Sequence, residues 1–302
     1  MGRRVGVFRA GLSDPCVCEK EFGWPGRTCR SVGRAAMDLQ GPSRAGSGTL
    51  VFSSEDPGGL DVQVSASILA ADLTNLGVEV DRVLRAGCQQ IHVDLTDGRF
   101  TPVLTLGMPT VAALRRRFPE AFLDCHLAVE DPEPLLEGLA SAGASQAMVM
   151  WEAIGSRAEA TCRRIRELGM RPAVALKPGT PLPEELIRLA RAGTVGAINV
   201  MAVEPGFGGQ LFQERVLDKV GGIGYTVFRR KVGGGTLLFG VQVATLRAAM
   251  DGAPLDIYVD GGIKPGTTAA MARKAGANVL IAGTAIFGAE DPFEAIEQLK
   301  HH

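Results

Sequence analysis

From Val62 onward the chain repeats one unit: a short apolar run, a Gly or Pro turn, an amphipathic stretch, then another apolar run. The runs at 64–69, 89–95, 122–129, 146–151, 172–177, 197–203, 255–260 and 279–283 read as short buried strands. Between them, Asn75 to Ala86, Glu133 to Ala142, Arg157 to Leu168 and Thr267 to Ala275 carry helical patterns. Gly87, Gly143, Gly169 and Gly276 stand where a glycine closes a helix. Pro132, Pro183 and Pro292 stand near helix starts, where the missing N–H costs nothing. Eight such strands alternating with helices predict a single-domain α/β fold, a (β/α)8 TIM barrel, with a doubly wound open sheet as the alternative.

Two stretches stand outside this rhythm. Residues 1–61 are rich in Gly, Arg, Ser and Pro, hold no sustained period, and predict a poorly ordered extension ahead of a barrel domain over 62–302. Their basic side chains fit a transit peptide, against which stand Asp14, Glu19, Glu21 and Asp38. Gly221 to Gly240 interrupts the expected sixth helix, between Val216–Lys219 and Val243–Arg247. Its glycine clusters oppose helix and its apolar content opposes a solvated loop, so an insertion on the outside of the barrel is expected.

Charge and composition remove several function classes. With 32 basic and 33 acidic residues the chain has no electrostatic footprint for nucleic acid or for an anionic membrane surface. No apolar run approaches the roughly 20 residues that span a bilayer. Cys88, Cys125 and Cys162 fall in apolar surroundings, as reduced core residues of an intracellular protein do. Cys16, Cys18 and Cys29 lack zinc-site spacing and have no histidine near them. A cytoplasmic protein is expected, or an organellar one if residues 1–61 are a transit peptide.

In a barrel the chemistry lies at the C-terminal ends of the strands. Ser67 ends the first; His92 and Asp94, two apart and therefore on one face, end the second. Asp124 and His126 share a face of the third, and Asp260 ends the seventh. Of four histidines, His301 and His302 are the terminal pair, and the other two both fall at expected strand ends. Two imidazoles and two carboxylates suit one divalent ion: zinc, iron(II), manganese or cobalt. Glycine clusters supply the second half. Gly206-Phe207-Gly208-Gly209, Gly261-Gly262 and Gly283-Thr284 follow the sixth, seventh and eighth strands, where loop amides of barrel enzymes hold phosphate. A small phosphorylated molecule with its reacting end over the metal is the expected ligand. Lys177, at the end of the fifth strand, offers the alternative of a Schiff base.

From about Val64 to Leu299 the chain resembles the ribulose-phosphate 3-epimerase family. The resemblance rests on Ser67-Ile68-Leu69, His92-Val93-Asp94 with Asp97-Gly98, Asp124-Cys125-His126-Leu127 and Lys177-Pro178-Gly179-Thr180. It continues through Val203-Glu204-Pro205-Gly206-Phe207-Gly208-Gly209-Gln210, Val259-Asp260-Gly261-Gly262 and Gly283-Thr284-Ala285-Ile286-Phe287, all in family order. The resemblance implies that His92, Asp94, His126 and Asp260 bind zinc or iron(II), and that Asp94 and Asp260 are the two acid/base groups. It implies that Ser67 and His126 meet the substrate, and that the backbone of Gly206 to Gly209, Gly261, Gly262, Gly283 and Thr284 holds its phosphate. The implied reaction is D-ribulose 5-phosphate to D-xylulose 5-phosphate in the pentose phosphate pathway, and a homo-oligomer is expected. Four positions depart from the family: Thr96 and Ala128 where methionine is usual, Met150 where histidine is frequent, and Val103 where asparagine is common. They bear on pocket shape, which leaves two alternatives: a 3-epimerase of a phosphorylated hexulose such as allulose 6-phosphate, and a barrel that only binds a sugar phosphate.

Overall fold

The computed structural model describes residues 61–207, 210, 246–250 and 254–301. The expected N-terminal extension, apart from Asp61, and the expected insertion at 221–240 lie outside the described residues. Eight strands follow one another: β1 Gln63–Ser67, β2 Gln90–Thr96, β3 Phe122–Ala128, β4 Gln146–Met150, β5 Arg171–Leu176, β6 Ala197–Met201, β7 Asp256–Asp260 and β8 Val279–Ala282. All pair in parallel in sequence order, and β8 returns to β1 through Val64↔Leu280 and Ser65↔Ile281, so the sheet closes into a barrel. That pairing removes the open-sheet alternative. Strand ends differ from the expected ones by a residue or two. Trp151, expected to end the fourth strand, instead opens the helix Trp151–Ile154.

Alternation along each strand divides the core in two. Ile91, Val93, Leu95, Leu123, Cys125, Leu127, Ile198, Val200, Ile257 and Val259 belong to the larger cluster, which includes residues of the surrounding helices. The helix Leu76–Arg85 buries Val80 and Val83, and Ala158–Glu167 buries Cys162 and Ile165. Each such large aliphatic side chain contributes about 1.5–3 kcal/mol on burial. The turns after these two helices use Gly87 and Gly169 at positive φ, as their sequence position suggests. Among the described residues no helix is long and apolar enough to cross a membrane.

The alternate residues fill the barrel, and the polar ones gather on β1 to β4, with buried Asn199 on β6 the exception. Met148, Met150, Ala173, Ala175, Ala197, Met201, Val279 and Ile281 form an apolar cluster on β4, β5, β6 and β8. Ser65, Gln90, His92, Asp124, His126 and Gln146, all buried, come from β1 to β4. Tyr258 on β7 joins the two populations: its ring packs in the apolar cluster and its hydroxyl donates to Gln90 Oε1 at 2.7 Å. Gln90 Nε2 donates in turn to Gln63 Oε1 at 2.8 Å. The functional side chains stand at one end of this buried polar seam.

Candidate active site

In-register pairing of β2 with β3 sets His92 beside Asp124 and Asp94 beside His126. Asp94 Oδ1 is 3.2 Å from His92 Nε2 and 3.1 Å from His126 Nδ1, and the two imidazole centroids are 5.5 Å apart. Ser67, at the end of β1, donates its hydroxyl to Asp94 Oδ2 at 3.3 Å. Asp260 arrives from β7, and one ligand atom from each of His92, Asp94, His126 and Asp260 lies within 4.8 Å of the others. Such a convergence of two imidazoles and two carboxylates is a donor set that one divalent cation fits.

The two carboxylates are held in opposite directions. Burial alone would raise Asp94. It is overcome by the charge of His92 and by hydrogen bonds from His126 and His92, which hold the group well below the usual carboxylate range. Asp260 is pushed up to about 6, chiefly by burial, with the nearby histidines working against the rise and the charge of Asp94 adding to it. Burial of His92 favours its neutral form, but Asp94 and Asp124 outweigh that and raise it well above the ordinary histidine value.

His92, Asp124 and His126 are all fully buried within the barrel. β2 continues past His92 to Thr96 and β3 past Asp124 to Ala128, within a residue of the expected ends. Asp124, expected only to share a face with His126, stands outside the group of four and lies against the far nitrogen of His92.

A cleft of about 190 Å³ opens on this group, lined by Ser67, Asp94 and Asp260 together with Gly206, Phe207, Gly261, Gly262, Gly283 and Thr284. Gly208 and Gly209 lie outside the described residues. Gly261 cannot be replaced without strain, because its φ is +104° and a Cβ there would come within 2.4 Å of Val203. Lys177 is not among the lining residues. Its ammonium sits 4.1 Å from the Phe100 ring centroid, and its backbone N–H donates to Glu152 Oε1 at 2.9 Å. The Schiff-base alternative thus gains nothing from the geometry, and Glu152 proves to be a strut of the β5 loop.

Lys264, Thr105 and Gln146 were not singled out from the sequence, whereas Met150, Thr96 and Gln210 were named there without a contact partner. Lys264 and Gln210 line the cleft. Met150 brings its Sδ to 3.0 Å from His126 Nε2. Thr96 turns its hydroxyl onto Val103 O at 2.7 Å, within 3.2 Å of Thr105 Oγ1, and Thr105 donates to Asp94 O at 2.7 Å. Gln146 alone left a readable signal, an amide at an inward position of an otherwise apolar strand.

Comparison with known proteins agrees with this picture. The family model of the ribulose-phosphate 3 epimerase family matches residues 63–235 and 237–287. The ribulose-phosphate 3-epimerase cytoplasmic isoform of Oryza sativa subsp. japonica is 38% identical, over 79% of this chain and 92% of its own length. The ribulose-phosphate 3-epimerase of Schizosaccharomyces pombe is 39% identical, over 80% of this chain and 94% of its own. Among solved structures, 3-keto-L-gulonate-6-phosphate decarboxylase from Vibrio cholerae superposes with a TM-score of 0.55 at 17% identity, over 79% of this chain and 97% of its own, a likeness of fold alone. With matches of that extent along the barrel that carries the site, the chain belongs to the ribulose-phosphate 3-epimerase family and is an isomerase.

Proposed function

We propose that the chain inverts C3 of a ketose phosphate, converting D-ribulose 5-phosphate to D-xylulose 5-phosphate, with Asp94 and Asp260 as the two proton carriers. The observation that carries this reading is the pair of carboxylates, Asp94 from β2 and Asp260 from β7, brought into one cleft beside two imidazoles. Inversion needs one group to take a proton and another to return it, so two carboxyl groups in one site are the expected inventory. One carboxylate takes the C3 proton, which is acidic because it lies next to the C2 carbonyl, and a cis-enediolate results. The other carboxyl group returns a proton from the opposite face, and the configuration inverts. A divalent ion, zinc or iron(II) with manganese or cobalt as alternatives, held by His92, Asp94, His126 and Asp260, would supply positive charge against the oxygens on which negative charge develops.

The hydroxyl of Ser67, already on Asp94, is in place to orient a sugar hydroxyl. Gly206, Gly261, Gly262, Lys264, Gly283 and Thr284 line the part of the cleft suited to a terminal phosphate. The decisive experiment is solvent deuterium incorporation at C3 of ribulose 5-phosphate by the zinc-loaded or iron-loaded protein. Exchange together with xylulose 5-phosphate formation is expected. Absence of exchange in a folded, metal-loaded sample would overturn the epimerase reading and leave a barrel that only binds a sugar phosphate. The hexulose alternative draws no support from Thr96 or Ala128. Thr96 spends its hydroxyl on the loop, and the small Ala128 is buried, so neither lines the cleft. Comparing kcat/KM for ribulose 5-phosphate and allulose 6-phosphate decides between them, and the pentulose is expected to be preferred.

A further inference from the structure

The four grouped ligands are not held alike from behind. His92 Nδ1 lies 2.7 Å from Asp124 Oδ2, and Gln146 Nε2 donates to the other carboxylate oxygen, Asp124 Oδ1, also at 2.7 Å. The ladder makes this possible: Asp124 pairs with His92 on one side and with Gln146 on the other. All three residues are fully buried. With both oxygens engaged, the carboxylate cannot rotate away from the imidazole. His126 has a far poorer brace, the Met150 thioether 3.0 Å from its Nε2, and sulfur is a weak acceptor. We infer that Asp124, locked by Gln146, is the positioning residue of this site: it keeps a proton on His92 Nδ1 and so turns Nε2 toward Asp94 and the cation.

The inference rests on reading the four residues as a cation site. A proton fixed on Nδ1 leaves Nε2 as the nitrogen with a lone pair to give, and an anionic partner raises the basicity of that lone pair. The brace also stops the ring from flipping. Met150 does the same work for His126 without charge, so removing it should matter far less. The two braces therefore form an internal comparison within one protein.

Asp124→Asn is the first test, because it removes the charge and leaves an acceptor for His92 Nδ1–H. Gln146 Oε1 has no hydrogen-bond partner among the described residues, so the Gln146 amide can turn and accept from the new Asn N–H, which lets the variant fold. Zinc affinity, read by competition with a chromophoric chelator, is expected to fall about 10- to 100-fold in this variant. Asp124→Ala should fall further, with Asn a partial rescue of Ala, while Met150→Leu should stay close to the parent. Imidazole 15N spectra of the metal-free proteins, recorded above the pH at which His92 gives up its second proton, give the second readout. His92 Nδ1 is expected to carry the proton in the parent and to lose that preference in Asp124→Ala. Circular dichroism checks the fold, and if Asp124→Ala does not fold, Asp124→Asn carries the same spectral comparison. Unchanged zinc affinity and an unchanged His92 nitrogen pattern in the folded variants would overturn the inference. A parent that binds neither zinc nor iron(II) would instead overturn the cation reading, and the nitrogen pattern of the metal-free proteins would still decide whether Asp124 sets the imidazole.

Discussion

Replacing Asp260 with asparagine preserves the size of the side chain while removing a charge and a proton carrier from the cleft. Turnover should fall by about 10²- to 10⁴-fold, the range for loss of one acid/base group, with the melting temperature nearly unchanged. Near-parent turnover would remove Asp260 from the chemistry. The same side chain makes cation uptake depend on pH. Asp260 holds its proton up to about pH 6, and His92 also holds one above its ordinary range. A cation must displace those protons, so zinc affinity should climb as pH rises through about 6 and fall as it drops again, with protons released on binding. Chelator competition across that range checks this, and a flat affinity would contradict the assigned donor set. At this scale much of the site was legible. His92 and Asp94 alternate along a strand, and His126 repeats the pattern on the next. The depth of Asp124 was not legible, because how far along a strand the mouth of the barrel lies is set by all eight strands together.

The segment between β2 and the helix Met108–Arg117 is tied back by side chains. Asp97 Oδ1 accepts from the N–H groups of Arg99 and Phe100, both at 2.9 Å, and Asp97 Oδ2 accepts from Glu130 N at 2.7 Å. Thr96 and Thr105 complete the tie through Val103 O and Asp94 O. Thr105→Val keeps the shape and removes the hydrogen bond to the Asp94 carbonyl, and is expected to cost about 1 kcal/mol. In a domain of this size that lowers the melting temperature by about 2–4 °C. A raised KM should accompany it, since the backbone that carries Asp94 loosens; an unchanged melt and KM would show the tie to be idle. Strands and helices were readable because their periodicity is written in every turn. The threonine part of the tie was not, because its acceptors are backbone carbonyls that any residue would offer. Only the folded path of the chain brings Thr105 back to Asp94.

Across the whole molecule the barrel shields its thiols. Burial pushes the Cys88 thiol up to about 11 and the Cys162 thiol up to about 12, and raises Cys125 strongly as well. Since the thiolate is the reactive form, all three should escape iodoacetamide at about pH 8 in the native protein and react once it is denatured, as peptide mapping would show. Labelling of the native protein at Cys125 would mean that the barrel wall opens on the timescale of the reaction. The closed sheet itself was legible from eight regularly spaced strands, whereas the division of its interior into a polar and an apolar side was not. That division emerges only when residues from distant parts of the chain share one space. The grouping of the four donors has a consequence for how the barrel holds together. His92, Asp94 and His126 sit on adjacent strands, but Asp260 stands on β7, with β8 and β1 between it and β2. An ion gripped by all four is a rivet joining an early part of the chain to a late one across that seam. It should leave only when the seam parts, so the rate of zinc escape into excess chelator is expected to track amide hydrogen exchange in β7 and β8. Escape much faster than that exchange would mean that the ion departs through the cleft and clamps nothing.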